Sequence, residues 1–101
     1  MAGLKVQVDA HVVRVKGELD AATAPTLQAK VADTVDEGWE RIVIDLREVP
    51  FVDSSGLGAL VSVRKRALER GSEVVLRSPH DRVRMLLDVT GLAGKVFAVT
   101  D

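Results

Sequence analysis

The chain has 101 residues, which suits one compact domain and leaves little room for a second. Its residues are 47% hydrophobic and 29% charged, the balance of a globular protein rather than of a disordered one. A net charge of −1 argues against a nucleic-acid binder held by a general positive field, and the absence of cysteine excludes a disulfide framework and a thiolate metal site.

The sequence carries no recognisable targeting or membrane segment. Residues 1–6 lack the basic stretch and apolar core of a secretory signal, and no apolar run approaches the ~20 residues that a membrane-spanning helix needs. Glycine stands at position 3 rather than 2, so the myristoylation pattern is missing as well. We therefore expect a cytoplasmic protein.

The first part of the chain predicts a hairpin followed by a helix. Apolar and polar residues alternate over residues 4–8, as in a half-buried strand, and residues 11–16 provide its partner after a tight turn. Residues 17–20 break the pattern. A helix is predicted over residues 23–36 with Thr23 as its cap, because apolar residues recur there at four-residue spacing. Its expected buried residues are Leu27, Val31 and Val35.

The middle of the chain predicts a strand, a loop and a second helix. Residues 42–46 are mostly apolar and begin with β-branched side chains, which indicates a central strand buried on both faces. Residues 47–52 are expected to form a loop, and a helix is predicted over residues 55–70, where Gly71 would end it. Its expected inward-facing residues are Leu57, Leu60, Val61 and Leu68.

The last part of the chain predicts a strand over residues 73–77, a helix over 81–89 and a strand over 96–99. The element order is then β-β-α-β-α-β-α-β. Single helices between strands favour parallel pairing, and the opening hairpin adds an antiparallel strand. The predicted fold class is α/β: one small domain with a mixed sheet of four to five strands and its helices packed on it.

The most informative segment is Asp53-Ser54-Ser55-Gly56-Leu57-Gly58, which follows the buried strand and its loop. Ser54 is expected to be the N-cap of the second helix, because its hydroxyl can accept from free amides of the first turn. Asp53 could also cap, so two polar residues at one helix start exceed the structural need. Gly56 and Gly58 each cost a helix roughly 1 kcal/mol relative to Ala, which indicates that something approaches the backbone closely.

A serine at a helix start is a candidate phosphorylation site, with a purely structural cap as the alternative. The amides of the first turn and the helix dipole favour an added phosphate, which would carry a charge of about −1.5 to −2. The adjacent carboxylate of Asp53 would oppose it. We expect phosphorylation of Ser54 to change the local surface and to leave the fold intact.

Nucleotide-binding and enzymatic motifs are incomplete in this chain. The run from Gly56 to Gly58 begins like a dinucleotide fingerprint, but Val61 stands where the third glycine or alanine belongs, and a P-loop is absent. The nucleophile elbow of serine hydrolases is missing too. His11 and His80 lack helical metal-ligand spacing, and we expect both on the surface.

A basic cluster on the second predicted helix has two interpretations. Arg64, Lys65, Arg66 and Arg70 could bind phosphates or acidic partners. Such a run more often forms the solvated face of an amphipathic helix, and Glu69 interrupts the series of positive charges. Neither interpretation is decided by the sequence.

Three segments together resemble STAS domains, the anti-sigma factor antagonist family. The first is the strand and loop that lead into Asp53-Ser54-Ser55-Gly56-Leu57. The second is the turn Gly17-Glu18-Leu19-Asp20, and the third is Val89-Thr90-Gly91-Leu92 near the end of the last helix. The resemblance covers essentially the whole chain and implies a STAS domain over residues 1–101 with an exposed start of the serine-bearing helix.

The resemblance implies a binding module and kinase substrate rather than an enzyme. In bacterial members, the first serine of this motif is phosphorylated by a partner that is both a serine kinase and an anti-sigma factor. The unphosphorylated antagonist binds that kinase and frees the sigma factor; phosphorylation abolishes binding, and a phosphatase restores it. By position the phosphorylated residue is Ser54. The residues implied to bind the partner are Asp20, Asp53, Ser54, Ser55, Gly56 and Leu57.

Together with the composition and the missing motifs, this resemblance leads us to expect no cofactor, no metal, and no direct contact with nucleic acid or membrane. Two other functions stay open at this stage. The chain could be a STAS scaffold subunit of a stress-signalling or lipid-transport assembly, in which binding does not depend on the state of Ser54. It could also be a small-molecule or nucleotide-binding module that uses the helix start at Gly56 and Gly58.

Overall fold

A computed structural model describes residues 3–101, and the expectations that rest on Met1 and Ala2 lie outside the described residues. The predicted element order is confirmed. The elements are β1 (Lys5–Asp9), β2 (Val12–Lys16), α1 (Ala24–Asp36), β3 (Arg41–Glu48), α2 (Ser54–Glu69), β4 (Glu73–Arg77), α3 (Asp81–Val89) and β5 (Ala98–Thr100).

The strands form one five-stranded sheet in the order β1-β2-β3-β4-β5. β1 and β2 are antiparallel, and each later strand adds in parallel to the one before it. Each helical crossover therefore advances by one strand in the same direction. Because such crossovers are right-handed, all three helices lie on one face of the sheet. The predicted mixed α/β fold is confirmed.

The core lies between the helices and one set of alternating strand residues. Ile42, Ile44 and Leu46 of β3 are fully buried in it, whereas Val43 is only half-buried on the opposite face. The prediction that this strand is buried on both faces is therefore wrong at Val43, because the helices of residues 3–101 all lie on the other face, although Asp45 on the same face as Val43 is buried. Among the described residues, the helices contribute Leu27, Val31, Val35, Leu57, Leu60, Val63, Ala67, Val83 and Leu87 to this core.

Several predicted boundaries and contacts need correction. β3 continues to Glu48, through residues predicted to be loop, and β5 begins at Ala98 rather than at residue 96. On α2, Val61 and Leu68 are exposed rather than inward. The predictions for Leu57 and Leu60 are confirmed, and the other buried positions of α2 are the smaller residues Gly56, Ala59, Val63 and Ala67.

The open face of the sheet carries a buried ion pair. Asp45 on β3 is only 7% exposed, and its Oδ2 lies 2.9 Å from Nη2 of Arg77 on the neighbouring β4. The Arg47 amide donates to Oδ1 of the same carboxylate over 2.9 Å. Burial alone would raise the pKa of Asp45, but the Arg47 amide and the Arg77 guanidinium outweigh it, so the pKa lies below its ordinary value of 3.8.

We expect Asp45→Asn to lower the free energy of unfolding by about 1–2 kcal/mol at neutral pH. The folded-state pKa of Asp45 is depressed, so its stabilisation is present above the ordinary value and is lost as the pH falls through the folded value. The difference between parent and variant should therefore narrow in acid. Urea unfolding at pH values from neutral to acid measures it, and a difference that does not change with pH would contradict this account.

Candidate functional site

The start of α2 is capped by Asp53. Its backbone is extended, with φ −100° and ψ −173°, and its Oδ1 accepts a hydrogen bond from the Gly56 amide over 2.9 Å. Its carbonyl oxygen accepts from the Leu57 amide, also over 2.9 Å. The prediction that Ser54 is the N-cap is therefore wrong. The carboxylate one residue earlier is an equally good cap, and it stands where the extended chain turns into the helix.

This correction leaves the Ser54 hydroxyl without a structural task at the cap. Ser54 is the first residue of α2, and both Ser54 and Ser55 are exposed. The two serines lie in the first helical turn, where backbone amides and the positive end of the helix dipole favour an added anion. The next two residues, Gly56 and Leu57, are buried beneath them.

We expect Asp53→Ala to lower the free energy of unfolding by about 1 kcal/mol, because the Gly56 amide loses its partner. Asp53→Asn keeps a side-chain oxygen at the same place and is the matched control. It should retain most of the stability. Thermal or urea unfolding of the two variants measures the effect, and an equal loss in both would show that the cap is not what stabilises this helix start.

The turn at residues 17–20 is attached to the loop that leads into α2. Leu19 forms a parallel bridge with Val52, its amide donates to the Phe51 carbonyl oxygen over 3.0 Å, and its own carbonyl accepts from the Asp53 amide over 3.2 Å. Gly17 continues the attachment, since its amide donates to the Glu48 carbonyl oxygen over 3.0 Å. Two segments that are distant in sequence are thus held side by side.

Gly56 is needed because this attachment is close. A Cβ at Gly56 would collide with the carbonyl oxygen of Leu19 and would lie 2.9 Å from Cγ1 of Val52. The prediction of a close backbone approach is confirmed for Gly56, and the approaching group is this chain's own backbone. Gly58 differs, because nothing lies within 4 Å of the Cβ it would carry.

Asp20 organises the turn beside the helix start. Its Oδ1 accepts from the amides of Ala22 and Thr23 over 3.0 and 3.1 Å, which fixes the entry into α1. Thr23 occupies the N-cap position of α1, but its side chain makes no cap bond there. Its hydroxyl instead donates to the Glu18 carbonyl oxygen over 2.8 Å. The prediction that Thr23 stands at the cap position is confirmed, but its side chain stabilises the turn rather than the helix end.

These contacts define a small surface around the start of α2, which we call the α2 start surface: Asp20, Phe51, Asp53, Ser54 and Ser55. Asp20 and Asp53 are half-buried, and the two serines are exposed. Phe51 is 49% exposed, and the sequence placed it only in a loop. An exposed aromatic side chain beside a motif is a signal that could have identified it as part of the site.

A family model for the STAS domain matches residues 2–100. The chain belongs to the STAS domain family. The resemblance carried by the three sequence motifs is thereby confirmed. In this STAS domain, the motif serine, the cap carboxylate and the Leu19 turn meet at one end of the sheet.

Similar proteins include anti-sigma factor antagonists. The chain is 46% identical over 81 residues to an anti-sigma-B factor antagonist of Listeria monocytogenes, covering 78% of this chain and 69% of that protein. An anti-sigma factor antagonist structure from Mycobacterium paratuberculosis superposes with a TM-score of 0.76 at 32% identity, covering 99% of this chain and 86% of that one. A Thermotoga maritima structure gives a TM-score of 0.80 at 26% identity, with coverage of 97% and 86%.

The other candidate groups lie apart from this surface or are engaged locally. Nε2 of the exposed His80 lies 2.6 Å from the Arg47 carbonyl oxygen, and His11 stacks at a tilt against Trp39 with ring centroids 5.6 Å apart. In the basic cluster, Arg66 and Arg70 lie 3.6 and 3.4 Å from the Asp36 carboxylate of α1. These pairs fit the interpretation of the cluster as a solvated helix face.

Residues 3–101 contain no group of three or more His, Cys, Asp or Glu side chains that could hold a metal ion. Over the same range, no helix combines the length and the apolar character that crossing a bilayer requires.

Proposed function

We propose that this STAS domain is an anti-sigma factor antagonist, switched by phosphorylation of Ser54. The observation that carries the proposal is the 46% identity to an anti-sigma-B factor antagonist. The exposed Ser54 hydroxyl on the first turn of α2 supports the position of the switch. The unphosphorylated form binds an anti-sigma factor with serine kinase activity, and the sigma factor is then released.

The α2 start surface is the part of the domain that docks against this partner. Asp20, Asp53, Ser54 and Ser55 contact the partner directly, and Phe51 adds an exposed aromatic ring. Gly56 and Leu57 act from beneath, since both are buried and hold the helix start against the Leu19 turn. The surface carries two carboxylates before any phosphate is added, so the partner's contacting groups are expected to be basic or neutral donors.

Phosphorylation acts here through charge and bulk. A phosphate on Ser54 adds a charge of about −1.5 to −2 next to the carboxylate of Asp53. The α2 amides stabilise that charge while it is solvated, but burying it in an interface without a partner cation is costly. A penalty of ~1.4 kcal/mol already lowers the affinity tenfold. Because the cap belongs to Asp53, the helix start itself does not need to change.

The kinase is the anti-sigma factor itself, a separate protein phosphatase removes the phosphate from Ser54, and the domain works in the cytoplasm with the transcription machinery. The domain's role is to be bound and modified, without a cofactor or catalytic group of its own.

Affinity capture from a native lysate tests the function with three baits: the parent chain, Ser54→Ala and Ser54→Asp. We expect an ATP-binding, kinase-like protein on the first two baits and its loss from Ser54→Asp. Identical partners on all three baits would support a STAS scaffold subunit instead. If none of the baits retained a protein, and a phosphate-bearing small molecule stabilised the parent chain in a thermal-shift assay, the ligand-binding alternative would replace the proposal.

A further inference from the structure

β1 is an edge strand with an unpaired side. Within residues 3–101 it pairs only with β2, and four of its five residues are exposed. Val8 is 41% exposed, although it lies on the face that packs against the helices, opposite the fully buried Val13. An edge of this kind exposes backbone hydrogen-bonding groups and apolar surface, and proteins usually protect it.

The sequence of this edge is complementary to itself when it is read in the opposite direction. The residues of β1 are Lys5, Val6, Gln7, Val8 and Asp9. Antiparallel pairing of two copies about Gln7 places Lys5 of each copy opposite Asp9 of the other, and Val6 opposite Val8. The central pair is Gln7 with Gln7. All five positions then face a partner of matching chemistry.

We propose that two copies of this chain associate through β1, in an antiparallel pair centred on Gln7, to form a continuous ten-stranded sheet. Opposite residues of an antiparallel pair project from the same face of the sheet. The two Val6–Val8 pairs therefore extend the helix-covered core of each copy. The two Lys5–Asp9 pairs lie on the open face, one at each end of the seam, by which we mean the row of contacts between the two β1 strands.

Other alignments of the same edge are poorer. Parallel pairing in register would place Lys5 opposite Lys5 and Asp9 opposite Asp9, and like charges directly across a ladder are destabilising. Shifting the antiparallel pair by two residues leaves only three pairs and separates the opposite charges. The charge arrangement thus selects one register, and it also explains why an edge with an exposed valine carries a lysine and an aspartate at symmetric positions.

The association is expected to be weak and dependent on concentration. Five residue pairs form a contact below the ~1,000 Å² typical of stable interfaces. It does not rest on the proposed switch, because β2 separates β1 from β3, the strand that leads to Ser54. A dimer would therefore form whether or not the chain antagonises an anti-sigma factor.

Charge reversals at the two ends of β1 test the proposal by sedimentation equilibrium over a range from micromolar to millimolar protein. Lys5→Asp alone and Asp9→Lys alone should each weaken self-association at least tenfold, because each leaves like charges at both ends of the seam. An equal mixture of the two variants should associate as the parent does, since opposite charges then face each other. The double variant should also self-associate.

Matched controls are Lys65→Asp and Asp33→Lys, which make the same charge changes at exposed helix positions. They should associate like the parent. Amide NMR shifts that change with concentration should map to residues 5–9. A parent chain that stays monomeric throughout the range would overturn the proposal. So would self-association that either single reversal leaves unchanged, or concentration-dependent shifts confined to other strands.

Discussion

Ser54→Asp should weaken binding to the anti-sigma factor partner at least tenfold, while Ser54→Ala should bind within about twofold of the parent chain. The exposed hydroxyl of Ser54 is not used by the helix cap, so removing it costs the fold little. A carboxylate at the same place adds charge beside Asp53 and must be desolvated on binding. Isothermal titration calorimetry with the purified partner measures both affinities.

Ser62→Asp is the control for this comparison. Ser62 is an exposed serine on the same helix, two turns beyond Ser54, so the substitution makes the same chemical change away from the helix start. It should bind the partner as the parent does. Equal binding of Ser54→Asp and the parent would show that charge at Ser54 is not the switch. If Ser62→Asp lost as much affinity as Ser54→Asp, the cause would be the overall charge of the domain rather than charge at the helix start.

Gly56→Ala should lower the free energy of unfolding by about 3 kcal/mol. The added Cβ would collide with the Leu19 carbonyl oxygen, and a backbone atom held by the Asp53 amide cannot move away cheaply. Relief of the collision requires the Leu19 turn to separate from the start of α2. Partner binding should therefore fall as well, even in the fraction that stays folded.

Gly58→Ala isolates this effect from helix propensity. The same methyl group on the same helix meets nothing within 4 Å there. Alanine is the better helix former, so this variant should gain about 0.5–1 kcal/mol. Urea unfolding of both variants provides the comparison. If Gly56→Ala were as stable as the parent, the close approach of Leu19 to the helix would have no energetic consequence.

The order of elements could be predicted because the local patterns agreed with the global fold. The alternation in β1 and the four-residue spacing of Leu27, Val31 and Val35 each indicated the correct element. Burial was harder to predict. Val43 was expected to be buried because it is β-branched, but which face of a sheet the helices cover is set by the direction of the crossovers. On α2, the sequence favoured Val61 and Leu68, which are exposed, over the buried residues Ala59, Val63 and Ala67.

The candidate site could be found from its motif, whereas its internal geometry could not. Asp53 and Ser54 are both good caps, and only the backbone conformation at Asp53 decides between them. The bridge between Leu19 and Val52 joins residues 33 positions apart, and no local sequence pattern predicts it. The sequence indicated that something approaches the backbone at Gly56, but only the three-dimensional structure shows that the approaching group is the Leu19 carbonyl.

Mapping the phosphate tests directly whether Ser54 is the phosphorylated switch residue. The parent chain, incubated with the captured partner and ATP, would be analysed by intact mass and fragmentation mass spectrometry, and the modified protein would then be returned to the binding assay. We expect one added phosphate, on Ser54, and an affinity for the partner reduced at least tenfold. A phosphate on Ser55 or elsewhere, or a phosphorylated Ser54 that still binds as tightly as before, would contradict it.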